Sequence, residues 1–351
     1  MPLGLQTTNL NFETIREIGQ AGKNSQVFIA NDLQLDSEIV IKKIRKDCLT
    51  YDGQYYKEAK ILYNHEHPNI AKVNYGCEDK DHVYIAMPLY QNGSLKDLID
   101  KRFLTVREII RYSIQFLSGL NHIHSKRLMH FDIKPDNIFL SNSNEALLAD
   151  FGLAKAMNIY DKAEQDFIYS KQLPPEVLTG DSYSYPFDIY LSGLTIYKLC
   201  NGNKDYDQQF NAIPDDNQYE HNILHGLFPN RDAYLWHIPS SLIKIINKAL
   251  SPDQTQRYQS ALKLINELGS VNQLLDWKYS INNNGTQTWN LDLNDKIITI
   301  EVSNQSNDFE VISEKTMKSS GKSSKITEYC GAKILSNDIK KFVVKALQKL
   351  S

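Results

Sequence analysis

Cysteine is scarce in this chain of 351 residues: Cys48, Cys77, Cys200 and Cys330, with no Cys-x-x-Cys pair among them. That scarcity argues against a disulfide scaffold and a cysteine-held zinc, and points to a reducing cytoplasmic setting. Long apolar runs are also missing. None approaches the ~20 residues that cross a bilayer, so no membrane span or membrane partner is expected. Residues 1–11 have neither a basic stretch nor an apolar core, so no secretory signal is read there. Charge of one sign is absent too, since 39 Lys+Arg stand against 42 Asp+Glu. A near-neutral chain lacks the overall basic footprint of a nucleic-acid binder, and nucleic acid is not expected as a partner. Whole-chain disorder is excluded as well, because 41% hydrophobic and 23% charged residues is a globular composition. At roughly 150 residues per domain, the length leaves room for about two domains.

Hydrophobic patterning divides the chain into three textures. Residues 12–90 read as strand-rich with one helix. Alternation over 12–18 runs into glycine, 27–30 and 38–42 look like a hairpin, and 83–87 is a buried strand. Residues 55–63 read as the helix, ended by the turn His67-Pro68-Asn69. From Ser94 onward, apolar residues recur at helical spacing over 106–123, 188–199, 241–250 and 261–275. After Trp277 short strands return at 289–293, 297–302 and 309–312. A Lys/Ser/Gly loop follows at 318–325, then an amphipathic helix over 338–350 with Asp338 as its expected N-cap. Residues 312–351 hold nine lysines against Glu314, Glu328 and Asp338. A solvated surface is the plain explanation; an acidic or nucleic-acid partner is the sharper one.

Chemistry concentrates between residues 128 and 152. The run His130-Phe131-Asp132-Ile133-Lys134-Pro135-Asp136-Asn137 offers a carboxylate, an ammonium two residues later and an amide five residues later. A second carboxylate stands in the turn Asp150-Phe151-Gly152. Phosphoryl transfer needs such a set: one group to orient a hydroxyl, oxygen donors for metal ions, and a cation beside the moving phosphate. Taken singly, each piece is ordinary. Other fragments fail. The pairs His65/His67 and His122/His124 have no nearby Cys or Asp to complete a metal site. Gly321-Lys322-Ser323 has Thr316 where a phosphate loop's first glycine belongs.

Over roughly residues 12–270 the chain resembles a eukaryotic-like (Hanks-type) Ser/Thr protein kinase. The segment 130–137 is similar to the catalytic loop, and Asp150-Phe151-Gly152 to the metal-binding turn. Further pieces follow in family order: Ile39-Val40-Ile41-Lys42, Glu58, the hinge Met87-Pro88-Leu89-Tyr90, Pro174-Pro175-Glu176, Asp188 with Gly193, and Asp253 through Arg257. The resemblance implies an α+β fold, bilobal, with a β-rich N-lobe and a helical C-lobe, and a kinase domain over 12–270 (N-lobe 12–86, hinge 87–91, C-lobe 92–270). The change of pattern beyond it reads as a linker at 271–282 and a small C-terminal β/α extension or module at 283–351, separate or packed on the main domain. The resemblance also implies ATP and Mg²⁺, with a protein Ser/Thr hydroxyl as acceptor. Asp132 would orient the hydroxyl, Lys134 steady the moving phosphoryl group, Lys42 hold the α- and β-phosphates and Glu58 hold Lys42. Asn137 and Asp150 would bind Mg²⁺. Gly19, Gly22, Ser25, Val27, Val40, Met87, Pro88, Tyr90 and Phe139 would surround the nucleotide. Arg257 would pair with Glu176. A regulatory partner or acidic ligand would meet the C-terminal module.

The departures from the family are specific. Glycine is short in the phosphate loop, where Gln20, Gly22 and Ser25 stand at the three glycine positions when aligned on Val27. Phe131 replaces the arginine that in the family meets an activation-loop phosphate, which implies that loop phosphorylation is not the switch. Residues 167–173 lack the family's Gly-Thr wording. The alternative reading is a pseudokinase scaffold that binds partners without transferring phosphate. The complete set Lys42, Glu58, Asp132, Lys134, Asn137 and Asp150 opposes it. A third reading, a small-molecule acceptor, is opposed by the Lys134-Pro135 and Pro175-Glu176 wording.

Overall fold

The structure is a computed structural model and describes residues 11–19, 25–48, 60, 66–165, 170–180, 182–305 and 308–351. Glu58, Gln20, Gly22 and most of the expected 55–63 helix lie outside these residues.

Strands β1 (Phe12–Gly19), β2 (Ser25–Asp32), β3 (Ser37–Arg45), β4 (Tyr75–Glu78) and β5 (His82–Pro88) form an antiparallel sheet in the order β1-β2-β3-β5-β4. The β2–β3 turn is set by Asp32, whose Oδ1 accepts from the amides of Gln34 and Leu35 at 3.0 Å each. Side chains alternate across a strand. Val27 and Ile85 are the register partners of Lys42, and Met87 is that of Val40, so these five share one face. On the other face, Ala30, Ile39, Ile41 and Ala86 are buried under Phe12, Tyr75 and Tyr84.

The chain then turns helical. Helices α1 (Leu95–Lys101) and α2 (Val106–Ser125) each begin with a capping box, Ser94 with Asp97 and Thr105 with Glu108. Between α2 and the next helix lie the short strands β6 (Leu128–Met129), β7 (Ile138–Leu140), β8 (Ala146–Leu148) and β9 (Lys155–Ala156), paired β6 with β9 and β7 with β8. Helix α3 (Pro175–Thr179) leads to α4 (Tyr185–Asn201), which is buried along nearly its whole length. Gly193 permits close packing there, since a Cβ would meet the Ala249 side chain at 3.0 Å. Around α4 stand α5 (Asn203–Asn211), α6 (Asp216–Leu224), α7 (Ser240–Ala249) and α8 (Ala261–Gly269).

Four expectations are corrected. Helix α8 stops at Gly269 rather than running to 275, because the Ser270 amide and hydroxyl both donate to the Glu267 carbonyl and close the turn. Strand β10 (Lys278–Ile281) falls inside the stretch read as a linker. It joins β11 (Gln287–Asp292), β12 (Lys296–Gln305), β13 (Asp308–Met317) and β14 (Ser323–Lys325) in one sheet, with β15 (Gly331–Ile334) also on β13. Strand β14 takes up the end of the expected 318–325 loop. The last helix, α9 (Ser336–Leu350), is capped at Leu335 without a side-chain bond, so Asp338 sits inside its first turn. There it still favours the helix through the macrodipole.

The C-terminal sheet and α9 enclose a core of Trp277, Trp289, Ile300, Val343 and Leu347, against which Phe103, Leu235 and Trp236 of the helical lobe pack.

Candidate active site

The catalytic-loop segment is held by one buried carboxylate. Asp188 on α4 is fully buried, and its oxygens accept from the amides of His130 and Phe131, both at 2.9 Å, and from His124 Nε2 at 2.8 Å. Burial pushes the Asp188 carboxyl up, but His124 and the His130 amide together outweigh it and leave the group below its ordinary value. These bonds hold Phe131 in the left-handed region, φ 68°, which a bulky residue adopts at a cost of about 1–2 kcal/mol. The Phe131 ring is 2% exposed and packs edge-on against Phe187 at 5.0 Å and Tyr183 at 5.9 Å.

His130 clips this segment to the second motif. Its Nδ1 accepts from the Asp132 amide (3.3 Å), so the proton sits on Nε2, which donates to the Ala149 carbonyl at 3.0 Å. Burial lowers its pKa, which keeps that tautomer neutral. The Ala149 amide in turn donates to the Asn137 carbonyl at 2.9 Å. Asp150 follows directly and is itself left-handed, with φ 58°.

The polar side chains converge as a result. Lys134 Nζ donates to both Asp132 oxygens, at 2.9 and 2.8 Å. Asn137 Nδ2 donates to the Asp132 carbonyl at 2.9 Å and to its carboxylate at 2.8 Å, which turns the amide oxygen of Asn137 away from Asp132. Lys42 reaches across from β3 to Asp150 at 3.1 Å. The Lys42 side chain is 11% exposed and that of Asp150 38%, so the carboxylate keeps an open side. Burial pushes the Asp150 carboxyl up, and the Lys42 ammonium more than offsets this, leaving it below the usual carboxylate range. An open carboxylate and a free amide oxygen on adjoining backbone are a hard donor set of the kind Mg²⁺ takes.

The expected nucleotide-facing residues occupy the sheet face above. Val27, Val40, Lys42 and Met87 share that face, and Gly19 is the register partner of Val27. Pro88 ends β5, so the hinge follows directly. The Tyr90 and Phe139 rings stack at 5.8 Å, and the Tyr90 hydroxyl accepts from the Lys72 amide at 3.1 Å. No motif marks the ring contact, because its partner is 49 residues away. Ser25 opens β2 as the register partner of Ile44.

Arg257 and Glu176 meet as the motif order implies. The guanidinium bonds both carboxylate oxygens, at 2.8 and 2.7 Å, and also the carbonyls of Ser251, Pro186 and Pro252. Both side chains are buried, and every remaining donor direction finds an oxygen, as a buried charge requires.

A family model of the protein kinase domain matches residues 12–268. A probable protein kinase of Dictyostelium discoideum is 30% identical over 273 residues, which cover 72% of either chain. Serine/threonine-protein kinase PrkC of Bacillus subtilis is 27% identical over 256 residues, 71% of this chain and 39% of PrkC. Serine/threonine-protein kinase PknD of Chlamydia muridarum is 30% identical over 293 residues, 72% of this chain and 30% of PknD. The chain therefore spans well under half the length of these two bacterial relatives.

Proposed function

The chain belongs to the protein kinase family, and we propose that it transfers the γ-phosphate of ATP to serine or threonine hydroxyls of proteins, itself among them. The convergence of Asp132, Lys134, Asn137, Lys42 and Asp150 carries this reading. Asp132 is the residue to accept the hydroxyl hydrogen bond and aim the oxygen. Its carboxylate is pinned by Lys134 and Asn137, so little reorganisation is needed when the acceptor arrives. Lys134, beside it, faces the charge that moves with the phosphoryl group. Lys42 serves the α- and β-phosphates, with Glu58 assigned to it by motif order. The Asn137 amide oxygen and the Asp150 carboxylate would hold Mg²⁺, which supplies charge neutralisation along the phosphates. Val27, Val40, Met87, Pro88, Tyr90 and Phe139 are assigned to the adenine side, and Gly19, Gly22 and Ser25 to the phosphate loop.

No observation favours the scaffold reading over this one. A cytoplasmic setting accords with the unpaired state of Cys77, Cys200 and Cys330. No helix among the described residues is long and apolar enough to cross a membrane. For the basic C-terminal module we propose a regulatory partner or an acidic ligand.

The test is transfer of labelled γ-phosphate from ATP–Mg²⁺ to the protein and to a generic acceptor. Label on serine or threonine is expected, lost in Asp132→Asn and Asp150→Ala. A folded wild-type protein that transfers none would overturn the reading.

A further inference from the structure

The helical lobe holds a lysine that this chemistry leaves unused. Lys198 lies on α4, one turn after Thr195, whose hydroxyl donates to the Ile133 carbonyl of the catalytic loop at 3.3 Å. Lys198 is 7% exposed. Among the described residues no carboxylate lies within 4.0 Å of its ammonium. The ammonium instead rests over the Tyr206 ring, 4.1 Å from its centroid. One turn further along α5, Phe210 carries a second ammonium, that of the exposed Lys171, at 5.2 Å. The Tyr206 hydroxyl donates to the Lys171 carbonyl at 2.7 Å and ties the two lysines together. Lys171 belongs to the turn Ser170–Gln172, just before Pro174-Pro175-Glu176. The other charges acting on Lys198 are Asp136, Asp207 and Lys134, two of them in the catalytic loop.

The arrangement leaves positive charge uncompensated next to the catalytic loop, which Thr195 touches at Ile133. Lys134 is committed to Asp132 and Lys96 to Asp100. Asp136 and Asp207 are exposed, so water screens what they offer. Burying an ammonium without a carboxylate is costly, and an aromatic face offsets only part of that cost. In keeping with that deficit, burial pushes the Lys198 pKa down to about 8. An anion arriving between the two ammoniums would close it.

We propose that Lys198 and Lys171, seated on Tyr206 and Phe210, form a subsite for an anionic side chain of the acceptor protein, a carboxylate or a phosphate, close to the acceptor hydroxyl. The inference rests on the proposed kinase function and adds the chemical class of substrate.

The experiment uses the full chain with ATP–Mg²⁺ and serine peptides carrying Glu, phosphoserine, Ala or Arg at each flanking position. At one position or more, Glu or phosphoserine should exceed Ala about tenfold in kcat/KM. The stronger of the two identifies carboxylate or phosphate as the natural group. Lys171→Met and Lys198→Met should each raise KM for the anionic peptides about tenfold and level the series. Lys171 is exposed, so that variant reports even where Lys198→Met fails to fold. An active wild type with a flat or Arg-favouring series overturns the subsite, as does a double variant that keeps the anionic preference. If no peptide and no autophosphorylation site is labelled, the kinase reading itself fails. The subsite is then judged by fluorescence anisotropy with the anionic peptides, where binding lost in Lys171→Met supports it and absence of binding overturns it.

Discussion

His237 is buried with one hydrogen-bond partner, and burial keeps its ring neutral. Its Nε2 donates to the Leu104 carbonyl at 3.4 Å, its buried Nδ1 has no partner, and its ring stacks on Tyr279 at 5.6 Å. Burial pushes its pKa down to about 4, from 6.5 in an unfolded chain. Between those values the unfolded chain binds a proton that the folded chain refuses. The stability is therefore fully present above pH 6.5 and is lost as pH falls toward 4, a difference of about 3 kcal/mol. His237→Phe should flatten this: its urea midpoint should fall less between pH 7 and pH 5 than that of the wild type. Parallel falls would refute the assignment. Such a residue is silent in the sequence, because its partner is a carbonyl 133 positions away. By contrast Asp132, Lys134, Asn137 and Asp150 were legible, because reactive groups at short fixed spacing constrain one another before any fold is known. Glu176 and Arg257 were legible only through family order, being 81 residues apart.

Among the elements, the segment after β9 illustrates what one substitution does to a switch. With Phe131 sealed under Tyr183 and Phe187, there is no guanidinium at that position to read a phosphate. Tyr160 stands 76% exposed at the tip of the turn that follows β9, and nearby Arg127 is already paired with Asp161 at 2.7 Å. Tyr160→Glu should therefore leave the transfer rate within about threefold of wild type, since an added charge gains no new partner. A gain or loss of two orders of magnitude in an initial-rate assay would show a phosphate-sensing contact here. Elements were legible in proportion to their apolar periodicity. Helices α2, α4 and α7 stand out because each buries a continuous apolar stripe or is buried all round. Helices α5 and α6 escaped notice. Their sequences NKDYDQQFN and DNQYEHNIL bury few side chains, Tyr206 in one and Tyr219 and Ile223 in the other. Strand β10 was missed for a related reason, since only Tyr279 of its four residues is buried.

For the molecule as a whole, the three textures in the sequence correspond to three packed regions, but how the third joins the second was not legible. A linker read over 271–282 suggests a separable extension, whereas its core is packed directly against Phe103, Leu235 and Trp236 of the helical lobe. Trp289 is fully buried and stacks on Trp236 at 5.6 Å, and Tyr279 meets Phe103 edge-on at 4.9 Å. Arg107 on α2 holds Asp276 through two bonds, at 2.6 and 2.8 Å. Trp277 donates its indole N–H to the hydroxyl of Ser351 at 2.8 Å, so the last residue of α9's tail closes on the residue before the sheet. Losing one such buried tryptophan costs about 3–5 kcal/mol, against about 5–15 kcal/mol for a whole domain. Trp289→Ala should accordingly lower the melting temperature by roughly 10 °C. Truncation after Trp277 strips the cover from Phe103, Leu235 and Trp236 together. The truncated chain should aggregate or unfold without a cooperative transition, as read by gel filtration and calorimetry. If instead it stays monomeric, melts at the wild-type temperature and transfers phosphate at the wild-type rate, the extension would be a dispensable appendage, and the aromatic seam between it and the helical lobe would contribute nothing to the kinase.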